Sequence, residues 1–463
     1  MKENKTFNTT TYAPGDTNEE MKSIKLNMKH GILCKLSILA VCSALILGVS
    51  LLIFGGEDTK LCFGAIVDVT YPKAYAFDDG DSRREIREHN PVDKGFIEAI
   101  NDFSYKTGSL ILSNTGKNIN YSPISLYYDL SLVTSGAKGE TEAQLLNLLG
   151  VSDSDTLSMQ CGNLYRLLYR DNKMGKLKIA NSIWMDNDMN GEPIEFKEDF
   201  VKHVVDNFYT SSHSVDFSKK ETAKAMSEWI AKNTNGTLSP SIEFVPEQII
   251  SILNTVYFYD QWIDRFDISK TEEDVFRLSN GTQVRNDFMN QTFGSAGFAK
   301  GEGFTRAGLG LKNSNQMVFI LPDEGVSPYE LLSSPEQIRE IFEGGTGFNG
   351  EVVWKIPKFS FTSKPAITDV LKKLGVNSAF TPNADFTGIT NHIAYITDVH
   401  QETHIAIDEN GVEASSFTHV YYAGAALPQG RADMILNRPF IYGIKAQTGN
   451  LLFVGVCENP AER

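Results

Sequence analysis

His400 and His404 stand four residues apart in His400-Gln-Glu-Thr-His404. On a helix, that spacing would bring both imidazoles to one face as zinc ligands. The glutamate, however, is not at the second position that an HExxH site requires. The flanks Ile396-Thr-Asp-Val399 and Ile405-Ala-Ile407 have strand character, and on a strand residues four apart are roughly 13 Å apart, too far to share one ion. The pair Asp408-Glu409 has the residue type for acid–base work, but just before Gly411 it reads as a solvated turn. Trp262, closing Tyr257-Phe-Tyr-Asp-Gln-Trp262, reads as an aromatic packed near a strand end. There is no GxSxG elbow, no P-loop and no GxGxxG following a strand. Cys34, Cys42, Cys62, Cys161 and Cys457 include no CxxC pair and are widely spaced, which argues against a zinc ribbon or a disulfide framework. The expectation is a protein that is not an enzyme and needs no cofactor or metal.

The composition agrees. The 463 residues are 41% hydrophobic and 22% charged, which excludes a disordered, collagenous or disulfide-scaffold chain. The formal net charge of -15 argues against a nucleic-acid partner, since phosphate binding needs a basic face. Leu36 to Phe54 (LSILAVCSALILGVSLLIF) is nineteen residues without a charge, close to the roughly 20 that a helix needs to span a bilayer. Lys22, Lys25, Lys29, His30 and Lys35 precede it and Glu57 and Asp58 follow. The positive-inside rule then puts residues 1–35 in the cytoplasm and everything after Phe54 outside. A cleaved signal peptide is the rival, but no convincing A-x-A cleavage site follows. Residues 55–93, with the polar stretch Phe77 to Pro91, read as a linker between membrane and domain.

From Asp93 the pattern becomes that of a packed domain, residues 94–463. Phe96, Ile100 and Phe103 share one helix face. Ser122-Pro123 opens a second helix as N-cap and first-turn residue, and Gly136 ends it. Further helices are expected over 140–149, 224–233 and 368–374, the last closed by Gly375. The runs 179–184, 250–258, 317–321, 352–356 and 451–456 read as buried strands. Strands and helices mix without a regular βαβ rhythm, so the fold class is α+β.

The segment from Gly411 to Gly430 lies between two apolar strands and is too long for a routine connection. Its first half alternates like a strand. Val412, Ala414, Ser416, Thr418, Val420 and Tyr422 form one uncharged face, while Glu413, Ser415, Phe417 and His419 lie on the other. It then runs into Gly424, Pro428 and Gly430. This is a loop that could also be a strand, or the arm of an ordinary hairpin with a long tip.

Several motifs in order resemble those of the serpin family across about residues 94–463. They include Asn118-Ile-Asn-Tyr-Ser-Pro-Ile-Ser125, Leu177-Lys-Ile-Ala-Asn-Ser-Ile-Trp184 and Asn254-Thr-Val-Tyr-Phe-Tyr-Asp-Gln-Trp262, the last followed by Phe266, Thr271 and Phe276. Ile356-Pro-Lys-Phe359, Ala384-Asp-Phe-Thr-Gly-Ile389, Asn437-Arg-Pro-Phe440 and Leu452-Phe-Val-Gly455 continue the series. The resemblance implies three β-sheets surrounded by about nine helices, with an exposed reactive-centre loop. It also implies a suicide substrate: a protease cleaves the loop, and the cleaved loop inserts into the main sheet before the acyl-enzyme hydrolyses.

By this resemblance the hinge is Glu409, Gly411, Val412, Glu413, Ala414, Ser415 and Ser416. Val412 replaces the usual Thr or Ser but is uncharged and β-branched, so insertion should survive. Spacing from Glu409 places the reactive bond at Ala425-Ala426, which suits an elastase- or subtilisin-like protease, with a papain-like cysteine protease also open. The rival bond, Arg431-Ala432, would suit a trypsin-like enzyme. Ser122, Asn254 and Trp262 match positions that line the opening sheet. Gln401 stands where many relatives carry a histidine, with His400 beside it. The expected partners are a target protease and, through residues 36–54, a membrane, with the protein a monomer. The alternative is a non-inhibitory binding or chaperone-like member.

Overall fold

The computed structural model of the chain describes residues 67, 69–113, 116–189, 192–242, 248–397, 399–412 and 430–462. The expected membrane segment 36–54, the tail 1–35 and the loop residues Glu413, Ala414, Ser415, Ser416, Ala425 and Ala426 lie outside them. Among the described residues no helix is long and apolar enough to cross a membrane.

The helices are α1 (Gly80–His89), α2 (Lys94–Ile111), α3 (Pro123–Thr134), α4 (Gly139–Leu149), α5 (Ser154–Leu168), α6 (Glu198–Phe208), α7 (Lys220–Asn233), α8 (Pro328–Leu331), α9 (Pro335–Glu343) and α10 (Thr368–Lys373). The strands are β1 (Ile119–Tyr121), β2 (Arg170–Asp171), β3 (Gly175–Asp186), β4 (Asp188–Met189), β5 (Glu192–Pro193), β6 (Thr210–Val215), β7 (Ile250–Gln261), β8 (Glu272–Arg277) and β9 (Gln283–Gly301). They continue with β10 (Phe304–Gly310), β11 (Gln316–Pro322), β12 (Thr346–Pro357), β13 (Phe359–Ser363), β14 (Thr403–Ile407), β15 (Gly411–Val412), β16 (Arg431–Ile435), β17 (Phe440–Lys445) and β18 (Leu451–Cys457).

Local chemistry sets these boundaries where the sequence suggested it. Ser122 caps α3, its hydroxyl accepting from Ser125 N at 3.4 Å with Pro123 in the first turn. Every residue of α3 except Asp129 is buried, so this helix has no polar face and must run through the core. Each large apolar side chain buried there stabilises the fold by about 1.5–3 kcal/mol. Gly375, at φ 98°, stops α10 in the left-handed conformation that glycine tolerates best. The expected face of α2 is buried through Phe96, Ile100 and Phe103.

The polar stretch 77–91 is not an extended stalk. It holds α1, capped by Asp79, whose carboxylate accepts from Ser82 N at 2.9 Å. Arg87 and His89 in its last turn suit the helix dipole. None of its ten residues is buried. Upstream, Val67 exchanges backbone hydrogen bonds with Ser212 of β6 at 3.1 and 3.2 Å, and Tyr71 stacks on Tyr169.

Three sheets result: one of nine strands, one of seven and the two-stranded β4–β5 pair. The seven-stranded sheet runs β13-β14-β15-β7-β3-β2, with β6 also on β3. β3 and β7 are antiparallel over their whole length, from Gly175 opposite Asp260 to Met185 opposite Ile250. Among the described residues, the two halves of this sheet meet through β15. Val412 pairs with Ile407 of β14 on one side, and Gly411 and Val412 pair with Gln261 and Asp260 of β7 on the other. After the loop the chain re-enters the other sheet as β16, parallel to β12, with Arg431 opposite Glu351. The loop from 413 to 429 therefore has its two ends fixed in different sheets.

Candidate functional site

The segment expected to be the hinge begins in a tight turn. Asp408 Oδ1 accepts from Asn410 N at 2.8 Å and Gly411 N at 3.2 Å, the local bonding that favours Asp at turns. The expected turn is present, but Glu409 is not solvated: it is only 6% exposed. Its Oε1 accepts from Thr271 Oγ1 at 2.8 Å, and its Oε2 pairs with Lys358 Nζ at 3.2 Å. Burial alone would raise the Glu409 carboxyl. Its own backbone amide, Thr271 and Lys358 outweigh that and hold it below the usual carboxylate range. Its role is to anchor a turn.

Trp262 sits beneath that turn, fully buried. Its Nε1 donates to Asp408 O at 2.9 Å and its backbone N to Asn410 O at 3.1 Å. Phe266 meets the indole edge-on at 6.1 Å. The strand-end aromatic is thus also a clamp on the hinge turn.

Gly411 is fixed by close approach. A Cβ there would lie 2.3 Å from Asp260 O and 2.8 Å from Gln261 Cα, so only glycine lets the hinge lie this near β7. Val412 follows, 3% exposed. Its side chain lines a cavity of about 10 Å³ shared with Phe258, His404, Ile405, Ile444 and Phe453. That is room for about one water.

Opposite Val412 stands Asp260, which sequence reasoning missed. It is completely buried. Asn313 Nδ2 donates to its Oδ1 at 3.0 Å and Asn315 Nδ2 to its Oδ2 at 2.9 Å. Burial pushes its carboxyl up to about 6 against the pull of these donors. Lys358 was also missed as a partner of Glu409. A lone lysine in the apolar motif Ile356-Pro-Lys-Phe359 was the available signal.

A second cluster lies lower in the sheet. Gln401 clasps one residue with both ends of its amide: Oε1 accepts from Ser122 N at 2.9 Å and Nε2 donates to Ser122 O at 3.0 Å. Ser122 Oγ donates to Leu452 O at 2.7 Å. One turn along α3, Ser125 Oγ bonds Asn254 Oδ1. Asn254 Nδ2 donates to Asn181 Oδ1 at 2.5 Å, and Asn181 Nδ2 to Phe208 O at 2.6 Å. Side chains thus link the segment before β14, through α3, to β7, β3 and α6. Asn254 is eight residues from Trp262, about 26 Å along the strand. Ser122, Asn254 and Gln401 therefore form one cluster and Trp262, Glu409 and Val412 another.

His404 lies on β14 as read, within 3.3 Å of Thr362 Oγ1. The rival scissile bond is built into a sheet. Ala432 is 2% exposed in β16 opposite Val352, and Arg431 is paired with Glu351 and Asp433. A protease needs an accessible extended chain, so this bond is unsuited to cleavage in the intact protein.

Comparison with known proteins gives a consistent result. The family described as Serpin (serine protease inhibitor) matches residues 98–460. Serpin-Z2A of Triticum aestivum is 27% identical over 387 residues, covering 77% of this chain and 94% of its own. The thermophilic serpin tengpin in its native state superposes with a TM-score of 0.71 at 24% identity, covering 85% of this chain and 97% of that one. Human thyroxine-binding globulin complexed with thyroxine superposes nearly as well, with a TM-score of 0.68 at 24% identity over 79% of this chain and 99% of that one. The fold therefore does not by itself separate protease inhibition from ligand carriage, and the hinge has to decide.

Proposed function

The chain belongs to the serpin family, and from that premise we propose that it is an inhibitory member acting outside the cytoplasm. It is held at the membrane by residues 36–54, or secreted if that segment is cleaved, and it works as a monomer on a protease that accepts small residues. The observation that carries this reading is Val412, uncharged and already seated as the first rung of a strand between β7 and β14.

The anchoring of the loop supplies the trigger. While the loop is whole, β16 holds its far end in the other sheet, so the loop is tethered at both ends. The protease serine attacks the Ala425 carbonyl; an ester forms to Ala425, and the new amine leaves on Ala426. Cleavage frees the segment up to Ala425 from its second anchor. Insertion of about fifteen residues at 3.3 Å each carries the attached protease on the order of 50 Å along the sheet. Nothing turns over, since each molecule is consumed.

The test incubates the full chain with pancreatic elastase, subtilisin and trypsin. The expected result is an SDS-stable complex with the first or second and a released peptide starting at Ala426. Cleavage by all three without any complex would favour the binding or chaperone-like alternative.

A further inference from the structure

Away from the hinge, α1 and the body border an open pocket of about 180 Å³. That is many times the roughly 10–15 Å³ that one water needs. Three arginines line it, Arg83 and the exposed Arg87 from α1 and the buried Arg170 from β2, together with Tyr75, Ser314 and Gln447, and Arg83 also donates to Asp79 O at 3.4 Å and to Phe77 O. Arg170 is 6% exposed. Its Nη1 donates to Leu167 O at 2.8 Å and Tyr169 O at 2.7 Å, and its guanidinium lies 5.1 Å from the Tyr75 ring centre. Among the described residues none of the three arginines has a carboxylate at ion-pair distance, whereas Arg84 on the same helix is paired with Asp81 at 2.8 Å. The acids in the neighbourhood are committed elsewhere, Asp79 to Ser82 and Asp260 to Asn313 and Asn315.

A buried arginine such as Arg170 without a carboxylate counter-ion is costly. Burial presses the Arg170 guanidinium below its usual value, and Arg83 and Arg87 push it the same way. In a chain of net charge -15, such a focus of positive charge needs an explanation. The arginine fork matches tetrahedral oxyanions, donating two parallel hydrogen bonds to each. Ser314 and Gln447 add neutral polar groups at the wall.

We propose that this pocket binds one small oxyanion, a phosphate or sulfate group, either free or carried on a small molecule. It would bridge α1 to the body, giving a helix that buries none of its own residues a firm attachment.

The test uses the full chain in a nonionic detergent, with inorganic phosphate, inorganic sulfate and glycerol 3-phosphate as probes. Sodium chloride at matched ionic strength is the reference. The readouts are the unfolding midpoint and hydrogen exchange of residues 80–89. Phosphate or sulfate is expected to raise the midpoint and slow exchange in the wild type and in Arg84→Gln. Binding should weaken about tenfold or more in Arg83→Gln/Arg87→Gln. Arg87→Gln alone provides a second variant, because Arg87 makes no hydrogen bond among the described residues. Equal responses to inorganic phosphate and the ester would assign a free ion, and a much tighter ester a carried group. An oxyanion effect no larger than that of chloride, or one unchanged in both arginine variants, would overturn the proposal.

Discussion

Asp260 and Glu409 are neighbours of the same hinge and answer pH in opposite senses. The Asp260 carboxyl is raised to about 6 by folding, so the native state holds its proton more tightly than the unfolded chain does. Stability from this group is complete below about pH 4 and is lost as pH rises through 6, a difference of about 3 kcal/mol. The Glu409 carboxyl is lowered by folding, so its contribution is present at neutral pH and fades as pH falls through its folded value. The variant Asp260→Asn, an isostere of the protonated acid, isolates the first effect. Its unfolding midpoint relative to wild type should climb between pH 4.5 and pH 7. Parallel profiles across that range would show that Asp260 does not carry this cost. At this scale much of the site was legible, because Gly411 and Val412 stand out by type and position. The partnership of Glu409 with Lys358 and Thr271 was not, since it joins residues on three segments distant in sequence.

At the scale of elements, the proposed mechanism turns on β15. Among the described residues, Gly411 and Val412 join the halves of the sheet. A strand can lengthen there only if alternate side chains tolerate burial, and Val412 is the first to be tested. Val412→Arg would place a charge where the native side chain is 3% exposed, leaving it buried and unpaired. This variant should still be cut at Ala425 by the target protease while the yield of SDS-stable complex falls about tenfold or more. An unchanged complex yield would show that the strand does not enter the sheet at this point. Strands β3, β7 and β14 could be read because buried β-branched runs are hard to mistake. Helix α1 could not, because ten residues without a buried side chain leave no apolar periodicity to find. Likewise α5 carries Gly162 and a polar first turn, which blur its face.

At the scale of the molecule, the loop is strung between two sheets. Val412 begins one attachment and β16 completes the other. This follows from topology, and the order of motifs along the sequence already implied it through the family resemblance. The placement of the second anchor did not follow from the motifs, since Arg431-Ala432 first suggested a rival cleavage site. In β16 it is instead a paired strand, and on the proposed function it is the tether that cleavage at Ala425-Ala426 would release. The central claim is that cutting the loop adds a strand to the main sheet. The most direct measurement is the unfolding midpoint of the full chain before and after limited cleavage at Ala425-Ala426. The account predicts a rise of about 10 °C or more, as new backbone pairing and apolar burial are gained. A midpoint that stays the same or falls after complete cleavage would contradict it.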